Sequence, residues 1–141
     1  MLATVGRHRA GTLMAMRIAT TILNMVIRLD ALILVTLGVL FWTGNAFSLI
    51  PLHMLLGILL VLCLWALAIL GWRSGAPLGL ALTAIVWGLV VVWLGLNQDS
   101  LVPGDLHWLI RVLHLLVGLG AIGLAETLGA RIRRATAHTS G

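Results

Sequence analysis

Two histidines lie inside long apolar stretches and share a local pattern: His53-Met54-Leu55-Leu56-Gly57 and His114-Leu115-Leu116-Val117-Gly118 both read His-x-x-x-Gly. An ionisable side chain in hydrocarbon is expensive to leave unpaired and is a functional candidate by default. On a helix, the glycine at i+4 shares a face with the histidine one turn further on. Its missing side chain leaves flat space beside the imidazole, which a porphyrin face needs. Two neutral imidazoles approaching from facing helices can fill both axial positions of a haem iron, the macrocycle replacing side chains in the bundle core. The pattern nominates His53 and His114 as metal ligands, with Gly57 and Gly118 beside them.

One cofactor requires that the two ligands lie at one depth. His53 precedes Trp72-Arg73 by about 19 residues, roughly 28 Å of helix, and His114 precedes Arg131 by about 17, roughly 26 Å. The two therefore share a level. Arg111 lies at i−3 from His114 and His107 at i−7, a face that climbs from the histidine level toward the near surface. An Arg fork binds a carboxylate with two charge-assisted hydrogen bonds, which suits a haem propionate; Asp99 and Asp105 compete for the same Arg. His107, beside Trp108, reads as an interfacial residue and as the substitute ligand for His114.

A second polar set lies at the opposite depth. Arg28 on the first apolar segment and Glu126 on the last come to similar levels, so an ion pair between them is expected, with Asp30 competing for Arg28. Such a pair locks helix register more often than it carries protons or quinone. No histidine occurs at that depth, so one haem is expected rather than two. The single Cys63 sits in an apolar run and reads as packing, without a disulfide framework or a thiolate metal site.

These residues must be held by membrane-spanning helices. Of the 141 residues, 61% are hydrophobic and 9% charged, and the mean hydropathy is +1.14; a water-soluble domain averages about 25% charged residues. A soluble globule is excluded, and no polar segment is long enough to form a separate aqueous catalytic domain. A span needs roughly 20 apolar residues, and four fit, at about 22–42, 48–71, 77–96 and 106–128. Residues 1–21 and 130–141 are left as basic tails. Gly44-Asn45 closes the first span, Pro51 occupies the opening turn of the second, and Pro103-Gly104-Asp105 starts the fourth, with Asp105 as a helix cap. The predicted fold is all-α: an integral four-helix membrane bundle built from two up-down hairpins.

All nine basic residues are Arg, against four acids, for a formal charge of +5. They fall in the two tails, at Arg73 after the second span, and at Arg28 and Arg111. The loops after spans one and three carry none. Under the positive-inside rule both termini face the cytoplasm, as in a multi-pass protein of a bacterial inner membrane, and nucleic acid is not an expected partner. Trp42, Trp93 and Trp108 then fall near the outer boundary and Trp72 near the inner one, while Trp65 and Trp87 pack at mid-span. No signal-peptide cleavage pattern follows the first span. The repeated His-x-x-x-Gly in two return helices suggests a duplicated hairpin. Gly118-Leu119-Gly120-Ala121-Ile122-Gly123 matches G-x-G-x-x-G but lies in an apolar span without a strand before it, so it reads as a small-residue packing stripe. Arg131, Arg133 and Arg134 could also touch anionic lipid.

The set His53, Gly57, His114 and Gly118, supported by Arg111 and carried on four spans, resembles the small b-type membrane cytochromes. The resemblance implies one haem b gripped by histidines of different helices, and electron transfer between a redox partner protein and quinone, alone or within a larger membrane complex. Read from the residues alone, two other functions stay open: a haem-free accessory subunit with internally paired histidines, and a small proton or solute conduit using Arg28, Asp30 and Glu126. No catalytic acid, base or nucleophile constellation points to a stand-alone enzyme.

Overall fold

The structure, a computed structural model, describes residues 2–138, with side chains over 11–137. These residues form four helices and no strand: α1 (Leu2–Trp42), α2 (Ile50–Arg73), α3 (Leu78–Asn97) and α4 (His107–His138), with single 3-10 turns at Phe47–Leu49 and Gln98–Ser100. Each helix contains a stretch long and apolar enough to cross a membrane. The apolar residues show little one-sidedness around the helices because lipid, like the core, accepts Leu and Val. Small residues mark many close helix contacts, beside large buried ones such as Ile27, Leu64, Leu67, Leu128 and Ile132. Positions against neighbouring helices hold Ala31, Ala68, Ala81, Ala84, Gly88, Ala121 and Ala125, all buried, while Leu29, Leu32, Leu62, Leu89 and Leu119 lie exposed on the outside.

Two connections close in the same way. After α1, Gly44 at φ +80° lets its own N–H donate to Phe41 O and the Asn45 N–H to Leu40 O. After α2, Gly75 at φ +89° repeats this, its N–H donating to Trp72 O and that of Ala76 to Gly71 O. This paired 5→2 and 6→1 closure satisfies orphan carbonyls at a helix end and turns the chain back sharply. The α3–α4 connection is longer and less regular, with Val102 at φ 47° and Gly104 at φ +95°.

Consecutive helices are neighbours, α4 returns to α1, and α2 touches α4 across the short diagonal. Two indoles set the spacing of α2, α3 and α4. Trp65 of α2 lies over Gly88 of α3 and donates its Nε1–H to Ile85 O at 3.2 Å. Trp87 of α3 lies over Gly120 of α4 and donates to Val117 O at 2.9 Å. Burying an indole is favourable only where its N–H finds an acceptor, and glycine gives each ring access to the backbone. Both mid-span tryptophans thus pack as expected, and Cys63 is buried in the core.

Residues 2–21 and 130–138, read from sequence as tails, are helical and continue α1 and α4 past the α2–α3 turn. No proline interrupts either stretch, and the two extensions have each other to pack on: Thr20, Ile132 and Thr136 are all buried at this end. The two buried hydroxyls are satisfied within their own helices, Thr20 Oγ1 donating to Met16 O and Thr136 Oγ1 to Ile132 O. Helix α4 begins at His107, and no main-chain N–H donates to Asp105, so that residue does not cap it.

Candidate functional site

His53 lies in the first turn of α2, positioned by Pro51 and the preceding 3-10 turn, and His114 lies two turns into α4. The short diagonal brings them face to face: the ring centroids are 6.3 Å apart and the planes are inclined by 45°. Both side chains are half-buried. Nδ1 of each ring is buried and has no hydrogen-bond partner, and no hydrogen bond joins the two imidazoles. A buried polar atom left in this state costs free energy unless something else satisfies it.

The walls of the site come from the other two helices. Phe41, in the last turn of α1, sets its ring edge-on to His53 at 5.4 Å and stacks on Phe47 at 6.3 Å. Gly95 of α3 lies against His114, where a Cβ would approach Cε1 to 3.3 Å. Gly57 and Gly118 are open: a Cβ on either would meet nothing within 4 Å.

Arg111 is exposed and forms no ion pair among the described residues, so neither Asp99 nor Asp105 holds it. His107 is engaged elsewhere, with Nδ1 3.2 Å from Leu101 O, tying the start of α4 to the α3–α4 connection. Among the described residues no group of three or more His, Cys, Asp or Glu side chains gathers to hold a metal ion. The histidine pair offers two protein ligands and no third.

The second polar set lies roughly 18 Å away along α4, twelve residues beyond His114. Arg28 and Glu126 form a two-pronged ion pair, Nε donating to Oε1 at 2.6 Å and Nη2 to Oε2 at 2.9 Å, on the outer face of the bundle. Their side chains are 62% and 34% exposed. Asp30, expected to compete for Arg28, does not. Two residues further along a helix is a turn of about 200°, which carries Asp30 inward to 3% exposure with both oxygens unpartnered. Asn24 is also buried, its amide against Gly129 and without a partner.

Sequence reasoning missed Phe41 and Gly95. Gly95 had a readable signal, since Ala81, Gly88 and Gly95 recur every seven residues as a small-residue column on α3. Phe41 had none, because its contact with His53 exists only across two helices.

No protein-family model matches the chain, and no curated protein or solved structure matches it.

Proposed function

We propose that the protein is a haem b-binding membrane electron-transfer protein or subunit, with His53 and His114 as the two axial ligands. The observation that carries this reading is the facing pair of half-buried imidazoles, each with a buried nitrogen that nothing among the described residues satisfies. His53 and His114 are the residues that would hold the haem, their ring centroids 6.3 Å apart on facing helices. A bare zinc ion prefers four protein ligands in a structural site. A macrocycle brings its own equatorial nitrogens and asks the protein for axial ligands only, which is the number supplied here.

Bound haem would supply reversible one-electron chemistry. The chain's own contribution is to fix two ligands, exclude water and shape the surroundings. Phe41 and Gly95 bound the ligand rings, Gly57 and Gly118 leave the adjoining surface flat, and Arg111 is free to pair with a propionate carboxylate. His107, engaged with Leu101 O, serves the fold rather than the iron. In this reading both termini face the cytoplasm of a bacterial inner membrane, the haem lies toward the outer face, and the electron partner is a redox protein or quinone.

The accessory-subunit alternative loses ground because it needs histidines paired with each other, whereas no hydrogen bond joins them. The conduit alternative keeps only Asp30, buried and unpartnered, because Arg28 and Glu126 lie on the outer face and satisfy each other.

The test is the optical spectrum of detergent-purified protein from haem-replete cells. A reduced-minus-oxidised difference of the b type is expected, abolished by His53→Ala and by His114→Ala and largely kept by His107→Ala. Colourless wild-type protein, or a spectrum indifferent to both ligand changes, overturns the proposal.

A further inference from the structure

The end of the bundle where α1 begins and α4 ends is rich in arginine and, among the described residues, poor in anything to pair it with. Arg17, Arg73, Arg131, Arg133 and Arg134 gather there, whereas the four acids lie elsewhere: Asp99 and Asp105 at the opposite end, Asp30 in the core, and Glu126 occupied by Arg28. Arg131 and Arg134, one helical turn apart on α4, project past the same α2–α3 turn. Together with Ser74, Gly75 and Ala76 they line a hollow of about 190 Å³.

The donors at this hollow can be counted. The N–H groups of Ser74, Gly75 and Ala76 are all consumed in closing α2, and Ser74 Oγ donates to Leu70 O at 2.7 Å. The two guanidinium groups are left, and neither forms an ion pair among the described residues. Two convergent forks without a carboxylate match the oxygens of a phosphate. The level also fits. The hollow sits at the turn between two apolar spans, where a lipid phosphate would lie. A neighbouring hollow of about 220 Å³ shares Ser74 and adds Arg73 with an apolar wall of Leu13 and Met16, suited to the glycerol and first methylenes of a lipid.

We infer that Arg131 and Arg134, at the α2–α3 turn, form a binding site for a phosphate group of the kind carried by anionic phospholipids. The site is independent of the histidine pair and of any cofactor there.

Native mass spectrometry of the full-length protein in detergent, with equimolar phosphatidylglycerol and phosphatidylcholine, tests it. Wild type should retain phosphatidylglycerol preferentially. Arg131→Gln with Arg134→Gln should lower that retention about tenfold, as the loss of two surface guanidinium contacts implies. Arg133→Gln, which removes one charge from a residue lining neither hollow, should stay within about twofold of wild type. Far-UV circular dichroism unchanged in both variants assigns the loss to the site. A parallel arm with millimolar inorganic phosphate separates the sources: displacement of the lipid shows that phosphate alone is recognised, and retention shows that the lipid is. Equal retention of the two lipids by wild type, or equal losses in Arg133→Gln and the double variant, overturns the inference.

Discussion

The bundle holds two polar pairs of opposite character about 18 Å apart along α4. Arg28 and Glu126 lie outside, exposed, with both prongs of the fork satisfied. His53 and His114 lie inside, half-buried, with a nitrogen on each ring that nothing satisfies. A complete pair needs no ligand; it joins α1 to α4 and fixes how they meet. An incomplete pair inside a low-dielectric bundle costs stability, as do the buried, unpartnered Asp30 and Asn24, and such groups are where a ligand is to be sought. In this membrane-type protein the unsatisfied group is therefore the better guide to function than the well-formed salt bridge.

Gly120 offers the severest test of that contrast because it lies on α4 six residues from His114 and six from Glu126, under the Trp87 ring. A Cβ there would come within 2.6 Å of Trp87 Cζ2. Gly120→Val should rotate or displace α4, lose about 1–3 kcal/mol from overpacking, and weaken both the haem spectrum and thermal stability in detergent. A variant with wild-type colour and melting temperature would show that this contact does not orient either pair.

Glu126→Gln separates the pairs. The fork loses its charge partner, so the unfolding midpoint should fall, by less than in Gly120→Val, while the difference spectrum keeps its full amplitude. A lost spectrum would mean that the two pairs are one functional system, and the conduit alternative would regain weight.

The smallest effect is expected at Gly95→Ala. The added methyl presses on His114 Cε1 from 3.3 Å, so the ring must shift by a few tenths of an ångström. In the proposed haem reading the cofactor stays at wild-type stoichiometry, with a displaced absorption maximum or midpoint potential and an unchanged melting temperature. Identical spectra would place His114 away from the iron.

Much of the architecture was legible in the residues. Uncharged runs near 20 residues specify spans, and Gly44, Gly75 and Pro51 mark where helices stop and start. The shared His-x-x-x-Gly pattern singled out both imidazoles, and the common depth of Arg28 and Glu126 anticipated their fork. The helical extensions were not legible, because an arginine-rich segment reads as a solvated tail until a second extension is seen packed against it. The sequence leaves Arg28 and Asp30 as rivals, because it does not show their direction around the helix.

The sequence by itself determined four apolar helices, their turns and the residue types available for chemistry, because hydropathy, glycine and proline act within a few residues of themselves. Only the tertiary structure decided that α2 and α4, rather than α1 and α3, meet across the diagonal, that His53 and His114 face each other there, and that Phe41 and Gly95 enclose them. In a chain whose helices are apolar on every side, hydropathy cannot choose partners. That choice falls to the fit of Trp65 over Gly88 and Trp87 over Gly120, contacts between residues far apart along each helix pair that exist only once the helices are packed.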